Sequence, residues 1–405
     1  MKRILALMLL CTLLCGCANS RPQAADTTAP PLAPIVVEPD TPAHDDRTAA
    51  AQFALDLLRQ QKFSEQNTIL SPLSVLAALG MTANGAGGNT LRQMEETLGF
   101  TASRLCAIMP GLLTENEQLH MANGIWYRNA GMTVYPEFLD ACANYYNAAA
   151  TPTPMDETTR KAINAFIEEH THGMIPDMMP ENSIDAHIVM LLVNALAFDA
   201  DWATAFESFR NEKAGFAGSD TPATYMQSTE RLYLSGRDAV GFIKPYAGGR
   251  YAFAAILPDE GIALADYLAA LDGAALIDLL DGVSDATVIA RLPKFSYDYD
   301  ADLADSLSAM GMPDAFDGGV ADFSRLGSAV EGNIFIEKVL HRAHIDVGEE
   351  GTEAAAATVV VAVPETVWMP PKDAKLVYLT RPFLYMIIDC ENHLPVFIGT
   401  IVDPS

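Results

Sequence analysis

Basic residues are scarce in this chain: 25 Lys and Arg stand against 52 Asp and Glu among 405 residues, a formal net charge of −27. An acidic surface of that size repels phosphate backbones and anionic lipid, so no nucleic-acid partner is expected. Cysteine is also sparse. Of six, Cys11, Cys15 and Cys17 crowd the N-terminus, which leaves Cys106, Cys142 and Cys390. An odd number at unrelated spacings supports neither a disulfide framework nor a zinc pattern. Only one long apolar run exists, Ile4 to Leu14, so an internal membrane span is excluded. Enzyme signatures are missing as well. The chain has no Gly-x-Ser-x-Gly elbow, and no Gly-Lys-Ser/Thr follows Gly85, Gly87 and Gly88. Those glycines read as a helix stop followed by a new cap at Asn89-Thr90. His170/His172 and His341/His344 lack the helical His-Glu-x-x-His arrangement, and acid pairs such as Glu349-Glu350 or Asp45-Asp46 read as solvated faces. Neither an enzyme nor a cofactor is expected.

What is present starts with an address. Lys2 and Arg3 precede the apolar run, the layout of a bacterial secretion signal. The run ends in Leu14-Cys15-Gly16-Cys17, which resembles the bacterial lipoprotein box. That resemblance implies a signal peptide over residues 1–16, with Cys17 lipidated as the new N-terminus; an ordinary signal peptide with incidental cysteines is the alternative. Ala18 follows, so the commonest acidic signal for inner-membrane retention is absent, and an outer-membrane or cell-surface anchor outside the cytoplasm is expected. Losing Lys2 and Arg3 leaves 23 basic residues against 52 acidic ones, a net −29. Ala18 to Asp46 holds six prolines and little that could pack, which makes residues 17–46 a semi-extended tether.

From Arg47 to the end the composition stays even, so residues 47–405 read as one domain. Half of all residues are apolar and 19% are charged, which excludes a disordered chain. Phe53, Leu57 and Leu58 mark one face of an opening helix, and Ser71-Pro72 starts another that runs to Met81. Strand-like segments dominate later: Ile188 to Ala197, Tyr251 to Leu257, Thr287 to Leu292, and the pair Leu384 to Ile388 and Val396 to Val402 around the turn Glu391-Asn392-His393. Helices early and strands late predict an α+β fold.

The segment from Glu349 to Pro364 is unusual: a glycine, an alanine run, then a β-branched run closed by proline. Alanine favours helix and valine favours strand, so a buried strand with an alanine entry is one reading. At period two, Thr352, Ala354, Ala356, Thr358, Val360 and Ala362 share one face, and the only charge, Glu353, falls on the other. Small residues on that first face would let the segment slide between two existing strands. Pro364 stands where such a strand must stop, because proline cannot donate to a central ladder.

These features resemble a serpin, and matching blocks run in family order through nearly the whole domain. Asn67 to Ser74 (Asn-Thr-Ile-Leu-Ser-Pro-Leu-Ser) resembles the family's start of helix B. Leu191 to Phe198 with Asp201-Trp202 resembles the central strand of sheet A. Leu257-Pro258-Asp259-Glu260-Gly261, Leu292-Pro293-Lys294-Phe295, His341-Arg342-Ala343 and Arg381-Pro382-Phe383-Leu384 match further blocks, with Thr380 where Asn or Asp is usual. The resemblance implies helices on a large central β-sheet plus smaller sheets, and an exposed reactive-centre loop over about 351–374. It further implies a suicide inhibitor: a serine or cysteine protease cleaves the loop, forms an acyl-enzyme, and is trapped when the loop inserts into sheet A. Glu349, Gly351, Thr352, Ala354, Ala356 and Thr358 would form the hinge. Ser71, Ser74, Asn194 and His341 resemble the polar shutter cluster, Trp202 the breach tryptophan, and Lys294 an ion partner of Glu349. Counting from Glu349 puts the scissile bond between Glu365 and Thr366. The interval to Pro382 is longer than usual, so Val367, Trp368 and Met369 remain alternatives. Arg92 and Arg104 are the only basic residues where heparin-activated relatives carry a basic helix, so heparin activation is not expected. A monomer is expected, touching membrane through its lipid alone. The competing readings are a non-inhibitory surface binding protein of the same fold, and a hydrolase with unfamiliar motifs.

Overall fold

The structure, a computed structural model, describes residues 37–114, 116–184, 187–330, 332–352 and 371–405. Helix Pro72–Gly85 is the pivot of the architecture: all of its residues are buried. A helix apolar around its whole circumference has to be enclosed on every side. It packs against helix Ala102–Leu112 and strand Leu394–Ile401, and against strands Leu119–Arg128 and Met190–Phe198. Its start is set locally. Ser71 caps it by accepting the Ser74 N–H, and Pro72 occupies the first turn. The helix stops at Gly85, as the glycines suggest, but the next one, Gly88–Leu98, is capped by Gly87 rather than by Asn89-Thr90. Asn89 is drawn off to Asp314 and Arg92, which removes it as a cap.

Two large sheets sandwich this helical layer. A nine-stranded sheet runs from Thr68–Leu70 through Leu394–Ile401, Phe383–Asp389, Tyr251–Pro258, Ala239–Pro245, Ala223–Gly236 and Ser284–Pro293 to Lys375–Tyr378, with Glu212–Ala214 on Ala223–Gly236. A seven-stranded sheet is ordered Ala149–Thr153, Leu119–Arg128, Met190–Phe198, Lys338–Val347, Gly351–Thr352 and Ala200–Asp201, and Phe295–Asp302 pairs with Lys338–Val347. Helix Glu157–His170 and the segment after it cover the outer face of the seven-stranded sheet. Ile163, Ile167, Ile175, Met178 and Met179 pack there on Leu191, Val193, Ala195 and Ala197. Nine α-helices among the described residues, packed with two large mixed sheets and a two-stranded one, give the α+β architecture that the sequence predicts. Among those residues no helix is long and apolar enough to cross a membrane.

The chain is bound to the body from its first described residue. The Val37 N–H donates to Tyr145 Oη at 2.9 Å, and helix His44–Arg59 begins within the stretch read as tether. Arg104 grips that entry through Asp40 and Asp46 at 2.6 and 2.5 Å, while Arg92 pairs with Glu96. Both basic residues of the 92–115 region are therefore occupied by the protein's own carboxylates. Cys17 and the leader lie outside the described residues.

Candidate functional site

The site is a partly closed seam in the seven-stranded sheet. Strands Met190–Phe198 and Lys338–Val347 run parallel and pair from Lys338↔Leu191 to Arg342↔Ala195, where the pairing ends. Above that point the strands part. The opening is filled at its top by Gly351–Thr352, which runs antiparallel to both neighbours. Thr352 faces Val347 on one side and Ala200 on the other. The seam is thus zipped at the bottom and wedged at the top.

Glycine is required at the wedge because a Cβ on Gly351 would collide with the Ala200 carbonyl oxygen. The Gly348 N–H donates to the Gly351 carbonyl at 3.0 Å and closes the turn that feeds the wedge. Thr352 is only 1% exposed, and its hydroxyl shares a 2.6 Å hydrogen bond with Tyr246 Oη. Tyr246 in turn stacks on Trp202, with centroids 4.4 Å apart and planes within 10°. The Trp202 N–H donates to the Glu350 carbonyl (2.7 Å), its ring Nε1–H to the Gly348 carbonyl (2.9 Å), and the Phe206 N–H to the Glu349 carbonyl (2.8 Å). Lys294 Nζ lies 2.7 Å from one Glu349 oxygen, and Asn211 Nδ2 donates to the other at 2.6 Å. Burial pushes the Glu349 carboxyl up, but these hydrogen bonds outweigh it and hold the group below the usual glutamate range. With side chains 38% and 15% exposed, the Lys294–Glu349 pair is half-wet, so its fixed geometry matters more than its Coulomb energy.

Where the zip ends, polar groups collect in the core. The Ser71 N–H donates to His341 Nε2 at 3.3 Å, Ser74 Oγ donates to the Ser71 carbonyl, and Asn194 Nδ2 donates to the Ser74 carbonyl at 2.9 Å and to Asn123 Oδ1. Since Nε2 accepts, the neutral imidazole carries its proton on Nδ1. That Nδ1, and Asn194 Oδ1 on the directly opposed residue, are buried without partners among the described residues. Burial alone pulls the His341 pKa down to about 4. The folded protein therefore binds this proton less readily than the unfolded chain, whose histidine titrates near ~6.5. Stability from the neutral imidazole is present above that value and lost as pH falls toward about 4. The depression corresponds to roughly 3 kcal/mol. The expected result is a melting temperature that drops across this window in the intact protein, and a flatter profile for His341→Gln; a wild-type profile in the variant refutes the assignment.

A family model described as "Serpin (serine protease inhibitor)" matches residues 48–404. The chain belongs to the serpin family. It is 30% identical over 378 residues to Serpin B6 of Macaca fascicularis, covering 88% of this chain and 98% of the relative. It is 28% identical to human plasminogen activator inhibitor 2, covering 87% and 98%. Among solved structures, the thermophilic serpin tengpin in its native state superposes with a TM-score of 0.83 at 37% identity, covering 91% of this chain and 96% of that one. Tengpin in its latent state superposes less well, at 0.78 and 35% identity, covering 91% and 100%. Serpins are mostly protease inhibitors rather than enzymes, and some members are not inhibitory.

The serpin fold brings Ser71, Ser74, Asn194 and His341 into one cluster, and Trp202, Lys294, Glu349, Gly351 and Thr352 into a second one above it. Ala354, Ala356, Thr358, Pro364, Glu365, Thr366, Val367, Trp368 and Met369 lie outside the described residues. Besides Asn211 on Glu349, two participants escape a reading of the sequence. Asn123 faces Asn194 across the neighbouring strand, and its signal was a lone buried amide on an apolar strand. Tyr246, just past the end of strand Ala239–Pro245 of the other sheet and bridged to Trp202, grips Thr352, and nothing near it in the chain announces that role. Two of the histidines outside the cluster have local partners. His344 binds Asp298, and His170 lies 2.8 Å from the Phe166 carbonyl. Among the described residues no three His, Cys, Asp or Glu side chains gather as a metal site.

Proposed function

We propose that this serpin is a suicide-substrate inhibitor of serine endopeptidases, and of cysteine endopeptidases by the same chemistry. The observation that carries the reading is the Thr352 wedge. Strand addition to a sheet is a general mode of recognition, and reactive-loop insertion in serpins is an instance of it. Here the first pair of residues of that added strand is already seated. Carried down the opening, the same register sets Ala354 beside Phe198 and Ile345, Ala356 beside Leu196 and Ala343, and Thr358 beside Asn194 and His341. At Ala354 and Ala356 small side chains meet Phe198, Ile345 and Leu196, with Ala343 the one small neighbour. The hydroxyl of Thr358 falls between the two unpartnered polar atoms, where it could accept from His341 Nδ1 and donate to Asn194 Oδ1. An inserted strand would complete both backbone ladders and that buried network together.

This geometry supports the following mechanism. A protease cleaves the bait and forms an acyl-enzyme; the freed segment zips downward from Thr352, separating the Lys338–Val347 and Met190–Phe198 strands. Inhibition results when this outruns hydrolysis of the acyl bond. We assign the scissile bond to Glu365–Thr366, which implies a protease that cuts after acidic residues; cleavage after Val367, Trp368 or Met369 would place Pro364 within the inserting strand. The leader motif supports export and a lipid anchor at Cys17. The chemistry requires no cofactor, and the acidic surface speaks against heparin activation.

The test is incubation with a panel of serine and cysteine proteases. The expected result is a denaturant-resistant complex with at least one, and a released fragment whose mass places its first residue at Thr366. Cleavage of the loop by every protease with no complex supports a non-inhibitory binding protein instead.

A further inference from the structure

One charged pair lies in the core without contributing to the seam directly. Lys244 is 2% exposed, and its ammonium donates to Glu230 Oε1 at 2.9 Å. Burying two charges is expensive, and replacing such a pair by apolar residues is often neutral or stabilising. Stability therefore gives no reason for a lysine here, and its remaining contacts supply one. Nζ also donates to the Thr204 carbonyl at 2.8 Å, and sits 4.3 Å from the Phe206 ring centroid and 5.4 Å from that of Trp202. All three lie in the 202–206 segment, whose Trp202 and Phe206 N–H groups hold the Glu350 and Glu349 carbonyls. Tyr246, which binds the Thr352 hydroxyl and stacks on Trp202, stands two residues further along from Lys244.

We infer that the Lys244–Glu230 pair is a positioning device for loop insertion: Glu230 aims the ammonium, and Lys244 pins the 202–206 segment so that Gly348 to Glu350 form a rigid pivot. This deepens the proposed inhibitory function and rests on it. Residues 348–350 form the turn above the wedge both before insertion and, by the register given above, after it. A fixed pivot keeps Thr352 in the opening, so insertion begins from a seated residue. A loose pivot lets Thr352 withdraw, and the acyl bond hydrolyses first.

Two variants separate this from a general packing role. Lys244→Met removes the ammonium and retains most of the volume. Lys244→Met with Glu230→Leu also removes the stranded carboxylate, so that folding is retained. In the folded double variant the loop is cut at the wild-type rate, but cleaved free inhibitor rises relative to trapped complex by about tenfold. Hydrogen exchange at the Trp202 and Phe206 amides, which does not depend on any protease, accelerates by a similar factor. Wild-type partition together with wild-type exchange at those amides overturns the inference. Should wild type itself trap no protease while the double variant still shows fast exchange, the inhibitory reading fails and the pivot stands.

Discussion

Replacing Thr352 by arginine is expected to turn the proposed inhibitor into a substrate. Thr352 is almost wholly buried between Ala200 and Val347 with its hydroxyl on Tyr246, and no carboxylate is among those neighbours. An arginine at that point must either bury an unpaired guanidinium or leave the opening. Burying a charge without a partner costs several kcal/mol, and each ~1.4 kcal/mol on one of two competing steps changes their ratio tenfold. Even a discounted penalty of about 3 kcal/mol on insertion moves the partition by roughly 100-fold toward hydrolysis. Cleavage itself proceeds normally, because the substitution lies well before the bait residues. The measurement is the ratio of trapped complex to cleaved free inhibitor at a fixed protease concentration. Full trapping by the variant would remove the Thr352 wedge from the mechanism.

The second large effect is thermal. Cutting the loop with any protease that the serpin does not trap raises the melting temperature by on the order of 20 °C. In the intact molecule the parallel ladder between Met190–Phe198 and Lys338–Val347 stops at Arg342↔Ala195, and among the described residues Gly351–Thr352 alone sits in the upper part of the opening. Insertion replaces the short parallel ladder from Lys338↔Leu191 to Arg342↔Ala195 with two longer backbone ladders, buries the alanine and valine face, and supplies partners for His341 Nδ1 and Asn194 Oδ1. The ordering entropy of the inserted residues opposes this gain, so the net is far smaller than the gross. Even so, a kcal/mol moves the midpoint of a large domain by about 2–4 °C, and a net gain near ten gives the stated shift. Scanning calorimetry of intact and nicked protein decides the matter. A midpoint unchanged on nicking would mean that the freed segment stays out of the sheet.

Legibility differed between the two halves of the site. Ser71, Ser74, Asn194 and His341 could be listed together because each sits in a recognisable block, yet the sequence said nothing of how they connect. The structure shows a chain of bonds through Asn123 and the Ser74 carbonyl, with one atom left over on each of His341 and Asn194. The ion pair of Lys294 and Glu349 could be named, while its half-exposed state and its third member, Asn211, could not. The helix cap at Gly87 was misplaced onto Asn89 because Asp314, which draws that side chain away, lies in a remote part of the chain.

The amino-acid sequence alone determined the α+β class, five of the strand segments, and the small-residue face from Thr352 to Ala362, since these rest on local propensity and a period-two pattern. Tertiary structure decided how far the sheet is open and that Thr352 already occupies the opening. It also decided that Tyr246, just past the end of a strand of the other sheet, holds that residue's hydroxyl. The reason is geometric: a seam between strands some 150 residues apart is a relation of positions in space, which no local pattern encodes.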